Sequence, residues 1–297
     1  MKILAQTGRE DIALVSVAET GSGRLVEFVE SLQPPLPRDE KWILTVSTLD
    51  GCPVRCRFCD AGGPARGALS REDILEQIDH LVRRRYPDGA VPVKKLKIQL
   101  ARMGEPSLNP HVLEVLEALP GLYDAPGLIP SFSTVAPAGT DGFFERLLDV
   151  KNRRYGPRFQ MQFSIHTTDG ELRDRLIPVK KWPFEKIAAY GMKFIEGDGR
   201  KVTLNFALAA GLPVDARALL DVFPTEAFLV KMTPVNPTRE AARNGISSTD
   251  GSLEDTAARL REAGYEVLVS IGELEENRIG SNCGMYINQF RGPKASN

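Results

Sequence analysis

Three of the four cysteines in this 297-residue chain, Cys52, Cys56 and Cys59, stand at a C-x3-C-x2-C spacing. Thiolates are soft ligands, and a loop that gathers three of them is suited to holding metal. Iron–sulfur clusters and structural zinc sites are normally closed by four protein ligands, so three leave one metal position open to another ligand. The competing arrangement is a zinc knuckle completed by a distant histidine or by the fourth cysteine, Cys283. Disulfides are disfavoured, because three clustered thiols cannot all pair and nothing with the plan of a secretory leader precedes them. Further along, Met103-Gly104-Glu105-Pro106 offers a backbone carbonyl and a carboxylate, a pair suited to an ammonium group on a ligand. By itself the tetrapeptide is a weak signal, since Glu-Pro turns are common in loops. Ser133, Ser164, Ile165, His166 and Asn236 are the remaining candidates. Each alone reads as turn or cap chemistry, and His166 alone as a satisfied structural histidine.

What sets these residues apart is their position relative to the elements around them. Short β-rich runs at 42–47, 96–100, 129–134, 159–164, 202–207 and 228–233 alternate with helical patterns, which predicts an α/β fold with a parallel sheet of βα units. Six such repeats make a partial (βα)6 TIM-like barrel, whose ligands bind where the strands end at their carboxyl side. The cysteine loop, the Gly104-Glu105 turn, Ser133, Ser164 to His166, and Asn236 all fall at or just after a predicted strand. The clearest helix spans 71–85: Ile74, Leu75, Ile78, Leu81 and Val82 share one face, with Ser70 as N-cap and Asp73 three residues on. Further helices are expected at 110–118, 142–150, 183–197, 215–222 and 253–263, and one more strand at 265–271. Ahead of them, 2–32 reads as short strands, with 12–17 and 25–29 parted by Gly21-Ser22-Gly23. Residues 1–40 are therefore expected to form a small N-terminal β extension. Pro34-Pro35-Leu36-Pro37 marks the entry to the main domain at 41–297, whose C-terminal loop carries Cys283.

A hydrophobic content of 42% suffices for a substantial core, and the net charge of −1 gives the surface as a whole no mandate for nucleic acid. The local basic groups, Arg83-Arg84-Arg85, Lys94-Lys95-Lys97 and 151–154, read as solvated helix ends and loops. No apolar run approaches the roughly 20 residues that cross a bilayer. A cytoplasmic monomer is expected, in a compartment where thiols stay reduced.

The cysteine spacing, with Phe58 just before the last cysteine, resembles the signature of the radical S-adenosylmethionine (SAM) superfamily. The resemblance implies a [4Fe-4S] cluster on Cys52, Cys56 and Cys59. Its open iron binds the amino and carboxylate groups of SAM, which is then reduced to a 5'-deoxyadenosyl radical. It also implies an external electron donor such as flavodoxin or ferredoxin. Gly104 and Glu105 then match a GGEP-type element that holds the SAM amino group, and Ser133, Ser164, Ile165, His166 and Asn236 become SAM contacts.

From about position 41 onward the chain further resembles the class A methyltransferases of the RlmN/Cfr type, which methylate adenosine carbons in RNA. The shared pieces are Val46-Ser47-Thr48, Met103-Gly104-Glu105-Pro106-Ser107-Leu108-Asn109, Phe132-Ser133-Thr134, Ser164-Ile165-His166, the run 171–179, Pro234-Val235-Asn236-Pro237 and Asn282-Cys283-Gly284. In that family one SAM methylates the carboxyl-terminal cysteine, here Cys283, and a radical made from a second SAM abstracts hydrogen from that methyl group. The carbon radical then adds to an sp2 carbon. A carboxylate matching Glu27 is credited with proton removal. Two departures stand out. Thr45 occupies the position of the family's resolving cysteine, and a hydroxyl cannot form the disulfide that releases product. The amino-terminal 40 residues also leave no room for the family's helical RNA-binding domain. With the near-zero charge, this points to a small-molecule, nucleoside or peptide substrate rather than structured RNA. The alternatives are an RNA adenosine C-methyltransferase, a radical SAM enzyme using Cys283 as hydrogen-atom donor, and a zinc-stabilised RNA-binding protein without catalysis.

Overall fold

The computed structural model describes residues 1–62, 65–195, 199–248, 253–270, 276, 279–281 and 286–290. The chain opens with β1 (Lys2–Arg9), β2 (Ala13–Glu19) and β3 (Leu25–Ser31), then enters β4 (Trp42–Val46) and a small hairpin, β5 (Leu49–Asp50) with β6 (Gly67–Ala68). Next come α1 (Arg71–Arg85), β7 (Leu96–Leu100), α2 (His111–Leu122), β8 (Leu128–Thr134), α3 (Asp141–Arg154) and β9 (Gln160–Ser164). The last part runs α4 (Gly170–Leu176), α5 (Phe184–Phe194), β10 (Val202–Leu208), α6 (Ala216–Leu220), β11 (Phe228–Pro234), α7 (Arg239–Arg243), α8 (Leu253–Glu262) and β12 (Glu266–Val269).

All strands except the β5–β6 hairpin join one ten-stranded sheet, in the order β1-β2-β3-β4-β7-β8-β9-β10-β11-β12. From β4 to β12 every neighbouring pair is parallel. The first three strands continue the same sheet antiparallel, with Val29 of β3 opposite Thr45 of β4. This is a mixed α/β fold with a parallel sheet. The strand order is linear and its two ends do not pair among the described residues, so no closed barrel forms.

Side-chain alternation along the strands explains why the sheet has two unlike faces. Leu44, Ile98, Phe132, Phe163, Leu204 and Val230 point to one side and are wholly buried against the helices, whose Ile78, Leu116, Phe144 and Tyr190 join the same core. Their neighbours Thr45, Gln99, Ser133, Ser164, Asn205 and Lys231 point to the other side and are only half-buried. At that level the second face is polar and partly accessible, unlike a packed barrel interior, while Ser131, Gln162 and Lys97 on the same face are buried.

Helix α1 begins and ends where the sequence places it. Ser70 Oγ accepts from Asp73 N at 3.0 Å while Asp73 Oδ2 accepts from Ser70 N at 3.1 Å, a reciprocal capping box. Its last-turn arginines are not free surface charge. Arg85 makes two bonds to the buried Glu30, at 2.9 and 3.1 Å, and Arg84 pairs with Glu10. The basic run at 151–154 likewise lies in the last turn of α3, where cations meet the negative helix end, and Lys151 Nζ donates to Phe194 O at 2.8 Å. Helices α4 and α7 escape a periodicity search because seven and five residues carry too little of a 3.6 repeat. Each is instead marked by its cap, Asp169 and Thr238. Among the described residues no helix is long and apolar enough to cross a membrane.

Candidate active site at the carboxyl ends of the parallel strands

The loop after β4 carries all three clustered cysteines, and residues far along the chain fix its backbone. Gly51 and Arg55 take positive φ values of 87° and 55°, which turn the chain back on itself. Cys59 N donates to Cys56 O at 3.0 Å. Arg57 N donates to Leu176 O, on the last residue of α4, at 2.9 Å, and Thr238 Oγ1 donates to Phe58 O at 2.7 Å. The Asp60 carboxylate accepts from the first amides of α7, Arg239 N at 3.2 Å and Glu240 N at 2.9 Å, so it caps that helix from across the sheet. Asn244 Nδ2 donates to Arg57 O at 2.9 Å. One loop is thus held by segments that follow β9 and β11.

The thiols themselves are sheltered. Burial pushes Cys52 up to about 11, helped by the Glu105 carboxylate, and drives Cys56 well above the ordinary thiol range, helped by the charges of Cys59 and Cys52. Cys52 and Cys59 border one apolar cluster, and Cys52 and Cys56 border a second, so the three gather about one place. Among the described residues no three His, Cys, Asp or Glu side chains close around a single ion. A cluster asks for a looser arrangement, because each thiolate meets a different iron and the cluster's positive charge keeps the thiols ionised. The donor set therefore fits a cluster held by Cys52, Cys56 and Cys59.

The turn after β7 lies against this loop. Met103 O accepts from Thr48 N at 2.8 Å and Leu49 N at 3.1 Å. Gly104 has φ +106°, and a Cβ there would come within 2.7 Å of Leu49 N, so both conformation and space demand glycine. Glu105 is buried and accepts from four donors: Ser107 N at 3.1 Å, Ser107 Oγ at 2.7 Å, Thr134 Oγ1 at 2.6 Å and Val135 N at 2.9 Å. Burial raises its pKa, and these bonds oppose the rise. Its carboxylate thus ties the β7 turn to the end of β8. Of the hydroxyl pair there, Thr134 makes that tie while Ser133 faces the accessible side of the sheet, as alternation requires. Asn109, which carried no role in the sequence reading beyond its place in a motif, is wholly buried and donates to Thr48 O and Leu69 O at 2.7 and 2.8 Å.

Ser164 is half-buried on the open face, and Ile165 is a core residue. Asn236 lies half-buried after β11, its carbonyl accepting from Thr238 N at 2.8 Å. His166 takes φ 67°, stacks edge-on against Phe58 at 4.9 Å, and accepts at Nδ1 from Ala207 N at 3.0 Å. That bond places the ring proton on Nε2, and burial, aided by nearby Arg173, pushes its pKa down to about 3 from an ordinary 6.5. Between those limits the unfolded chain binds a proton that the folded chain refuses. Stability should therefore fall as pH drops from about 6.5 toward 3, and this histidine should contribute no slope above that window. His166→Gln keeps an acceptor for Ala207 N and should flatten that limb in urea unfolding measured across pH. An unchanged limb in the variant would count against the assignment.

Glu27, on β3, is fully buried and faces Arg102, which stands just before Met103. Arg102 binds Glu27 Oε1 through Nε at 2.9 Å and through Nη2. The same guanidinium donates to Ser281 O at 2.6 Å and Gly280 O at 2.8 Å, while Glu27 Oε2 accepts from Ile287 N at 2.8 Å. Beyond Tyr286, Ile287 begins a short helix, Ile287–Phe290, and packs in one apolar cluster with Val17, Ala61 and Met103, against which Cys52 and Cys59 also lie. Cys283 lies outside the described residues, between these two anchored stretches. Arg102 was missed from sequence because an arginine beside a turn reads as solvated.

An α/β sheet with a three-cysteine loop at its carboxyl edge, braced by a Gly-Glu turn, defines a radical SAM core. Such enzymes use a [4Fe-4S] cluster and SAM. No protein-family model matches the chain. It is 28% identical to the probable dual-specificity RNA methyltransferase RlmN of Frankia alni, covering 89% of this chain and 62% of that protein. It is also 28% identical to the dual-specificity RNA methyltransferase RlmN of Halorhodospira halophila, covering 98% of this chain and 80% of that one. A radical SAM methyltransferase from Sphaerobacter thermophilus superposes with a TM-score of 0.72 at 21% identity, over 95% of this chain and 80% of that one, which speaks to the fold. The chain is related to the RlmN-like radical SAM methyltransferases and carries a class A, RlmN/Cfr-like core.

These relatives overturn one expectation, the preference for a small molecule, nucleoside or peptide over structured RNA, since they are named as RNA methyltransferases. The physical reason is that net charge sums over the whole surface, whereas phosphate recognition depends on a few local cations.

Proposed function

We propose that this chain is an RNA methyltransferase that transfers a SAM-derived one-carbon unit, through Cys283, to an sp2 carbon of adenosine. What carries the reading is the joint anchoring of the carboxyl-terminal segment: Gly280 and Ser281 on Arg102, and Ile287 on Glu27 and in the apolar cluster bordered by Cys52 and Cys59. Cys283 falls between these anchors. The parallel strands form an incomplete (βα)6 barrel, with helices on one face and the polar, half-buried face as its interior. The setting is the cytoplasm, where the thiols stay reduced.

In this reading Cys52, Cys56 and Cys59 hold the cluster, which with SAM bound supplies a radical able to abstract hydrogen. Gly104 brings its backbone close to the ligand without a side chain in the way. Glu105 orients the turn and presents negative charge to the SAM amino group. Both Glu27 oxygens are engaged, so proton removal by Glu27 requires its bonds to Arg102 or Ile287 to part first. Thr45 Oγ1 donates to Gln99 Oε1 at 3.0 Å inside the sheet, so no disulfide can form at that position and product release calls on an external thiol or base.

The test is anaerobic reconstitution with iron, sulfide, SAM, a reductant and ribosomal or transfer RNA, followed by mass analysis of Cys283 and of digested nucleosides. A methyl group on Cys283 and a methylated adenosine are expected. An unmodified thiol after turnover would remove the carrier role, and unmethylated RNA beside a methylated Cys283 would remove RNA as substrate.

A further inference from the structure

The cysteine loop has two unlike sides. Cys52, Cys56 and Cys59 are half-buried against apolar clusters and Val54 is buried, whereas Arg55 and Arg57, which stand between the cysteines, are exposed. The hydrogen bonds that fix the loop bring two more exposed arginines beside it. Arg57 N is bound to Leu176 O, which sets Arg175 next to that bond, and the Asp60 carboxylate holds the amide of Arg239. Asn244, just past the end of α7, donates to Arg57 O and closes the group.

No ion pair joins any of these four to an acid among the described residues. By contrast Arg83, Arg153 and Arg261, exposed elsewhere, pair with Asp79, Asp149 and Glu254. The acids near the loop are engaged otherwise: Asp60 caps α7, Glu240 pairs with Arg243, and Asp174 with Lys181. Glu171 stands one turn before Arg175 on α4, and no ion pair joins the two. Arg55 carries a further mark in its φ of 55°. Glycine would fit that backbone better, and what arginine adds there is an exposed charge.

Unpaired guanidinium groups on one face raise the local potential, which a net charge of −1 summed over the whole chain conceals. All four are arginines, whose planar forks match phosphate oxygens two at a time. RNA repeats such an acceptor at every nucleotide, and the loop stands at the carboxyl edge of the sheet, where the RNA of the proposed reaction has to arrive. We propose that Arg55, Arg57, Arg175 and Arg239 form a phosphate-docking face for RNA on the outer side of the cysteine loop, an inference that rests on the RNA-methyltransferase reading.

The test is RNA binding by the anaerobically reconstituted full chain, followed by fluorescence anisotropy against salt, with transfer RNA and ribosomal RNA as probes. Wild type, Arg55→Gly, Arg57→Gln and Arg175→Gln are compared at equal iron content, with Arg261→Gln as a distant control. Glycine suits the backbone at position 55, so that variant removes the charge without straining the loop, and Arg175 lies outside the loop altogether. Each of the three is expected to lower the slope of log affinity on log salt by about one, while Arg261→Gln leaves it unchanged. An unchanged slope in all three, or an equal fall in Arg261→Gln, would overturn the face. Unchanged RNA binding together with slower reduction of the cluster by flavodoxin would also overturn it, and would give this surface to an acidic electron donor. RNA binding that the variants leave intact removes the face alone, whereas absence of methylated adenosine from the wild-type reaction removes the reading on which it rests.

Discussion

Replacing Cys56 with alanine is expected to abolish cluster binding and SAM cleavage together. Cys56 is the middle cysteine of the three; burial drives its thiol well above the ordinary range, and its ionised form feels both Cys59 and Cys52. Two thiolates cannot hold three irons of a cubane, so a partial cluster is open to solvent and is lost. The variant should be colourless after reconstitution, without the absorbance near 400 nm of iron–sulfur proteins, and should form no 5'-deoxyadenosine. Its fold should survive, because the loop is fixed through the Arg57, Phe58 and Asp60 backbone and side-chain bonds rather than through the Cys56 sulfur. Cys283→Ala is the companion measurement: 5'-deoxyadenosine formation should remain possible while product stops. Full product from Cys283→Ala would remove the carrier role, and a brown, SAM-cleaving Cys56→Ala would remove the cluster assignment.

Arg102→Met is expected to have the second large effect, on stability as much as on activity. The Glu27 and Arg102 side chains are 0% and 2% exposed. Removing one partner of such a buried pair leaves a charge without compensation, at a cost of about 3–5 kcal/mol. That is a large share of the roughly 5–15 kcal/mol that holds an ordinary domain together. The carbonyls of Gly280 and Ser281 also lose their donor. The double variant Glu27→Gln/Arg102→Met should recover much of the loss, since it removes the orphan charge and leaves an amide oxygen for Ile287 N. Urea midpoints at constant m report this directly. A single variant within about 0.5 kcal/mol of wild type would show the pair to be idle. If the pair also positions the carboxyl-terminal segment, the double variant should regain stability without regaining methylation of Cys283.

Much of the fold could be read from residue order. Helix α1 was bounded correctly by its apolar stripe and capping box, and β7 by its run of apolar residues, because both signals are local. The strand starts at 42, 202 and 228 were read correctly for the same reason. Short helices α4 and α7 were not, since five to seven residues do not complete enough turns to show a period. The antiparallel continuation of the sheet by β1 to β3 also needed the structure, because strand pairing is a long-range choice that composition does not express.

At the site the division is similar. Residue types and spacing alone singled out Cys52, Cys56 and Cys59 as the candidate ligand set, one short of four, because metal chemistry depends on ligand identity and close spacing. Only the tertiary structure decided what Glu27 faces. Its partners Arg102 and Ile287 are 75 and 260 positions away, and no local pattern pairs a buried carboxylate with either. The same holds for Lys97, which read as part of an exposed basic run, whereas its place on β7 opposite Ile43 leaves it only 8% exposed. Spacing along the chain sets what a residue can do chemically, and burial with its charge partners sets which of those things it does.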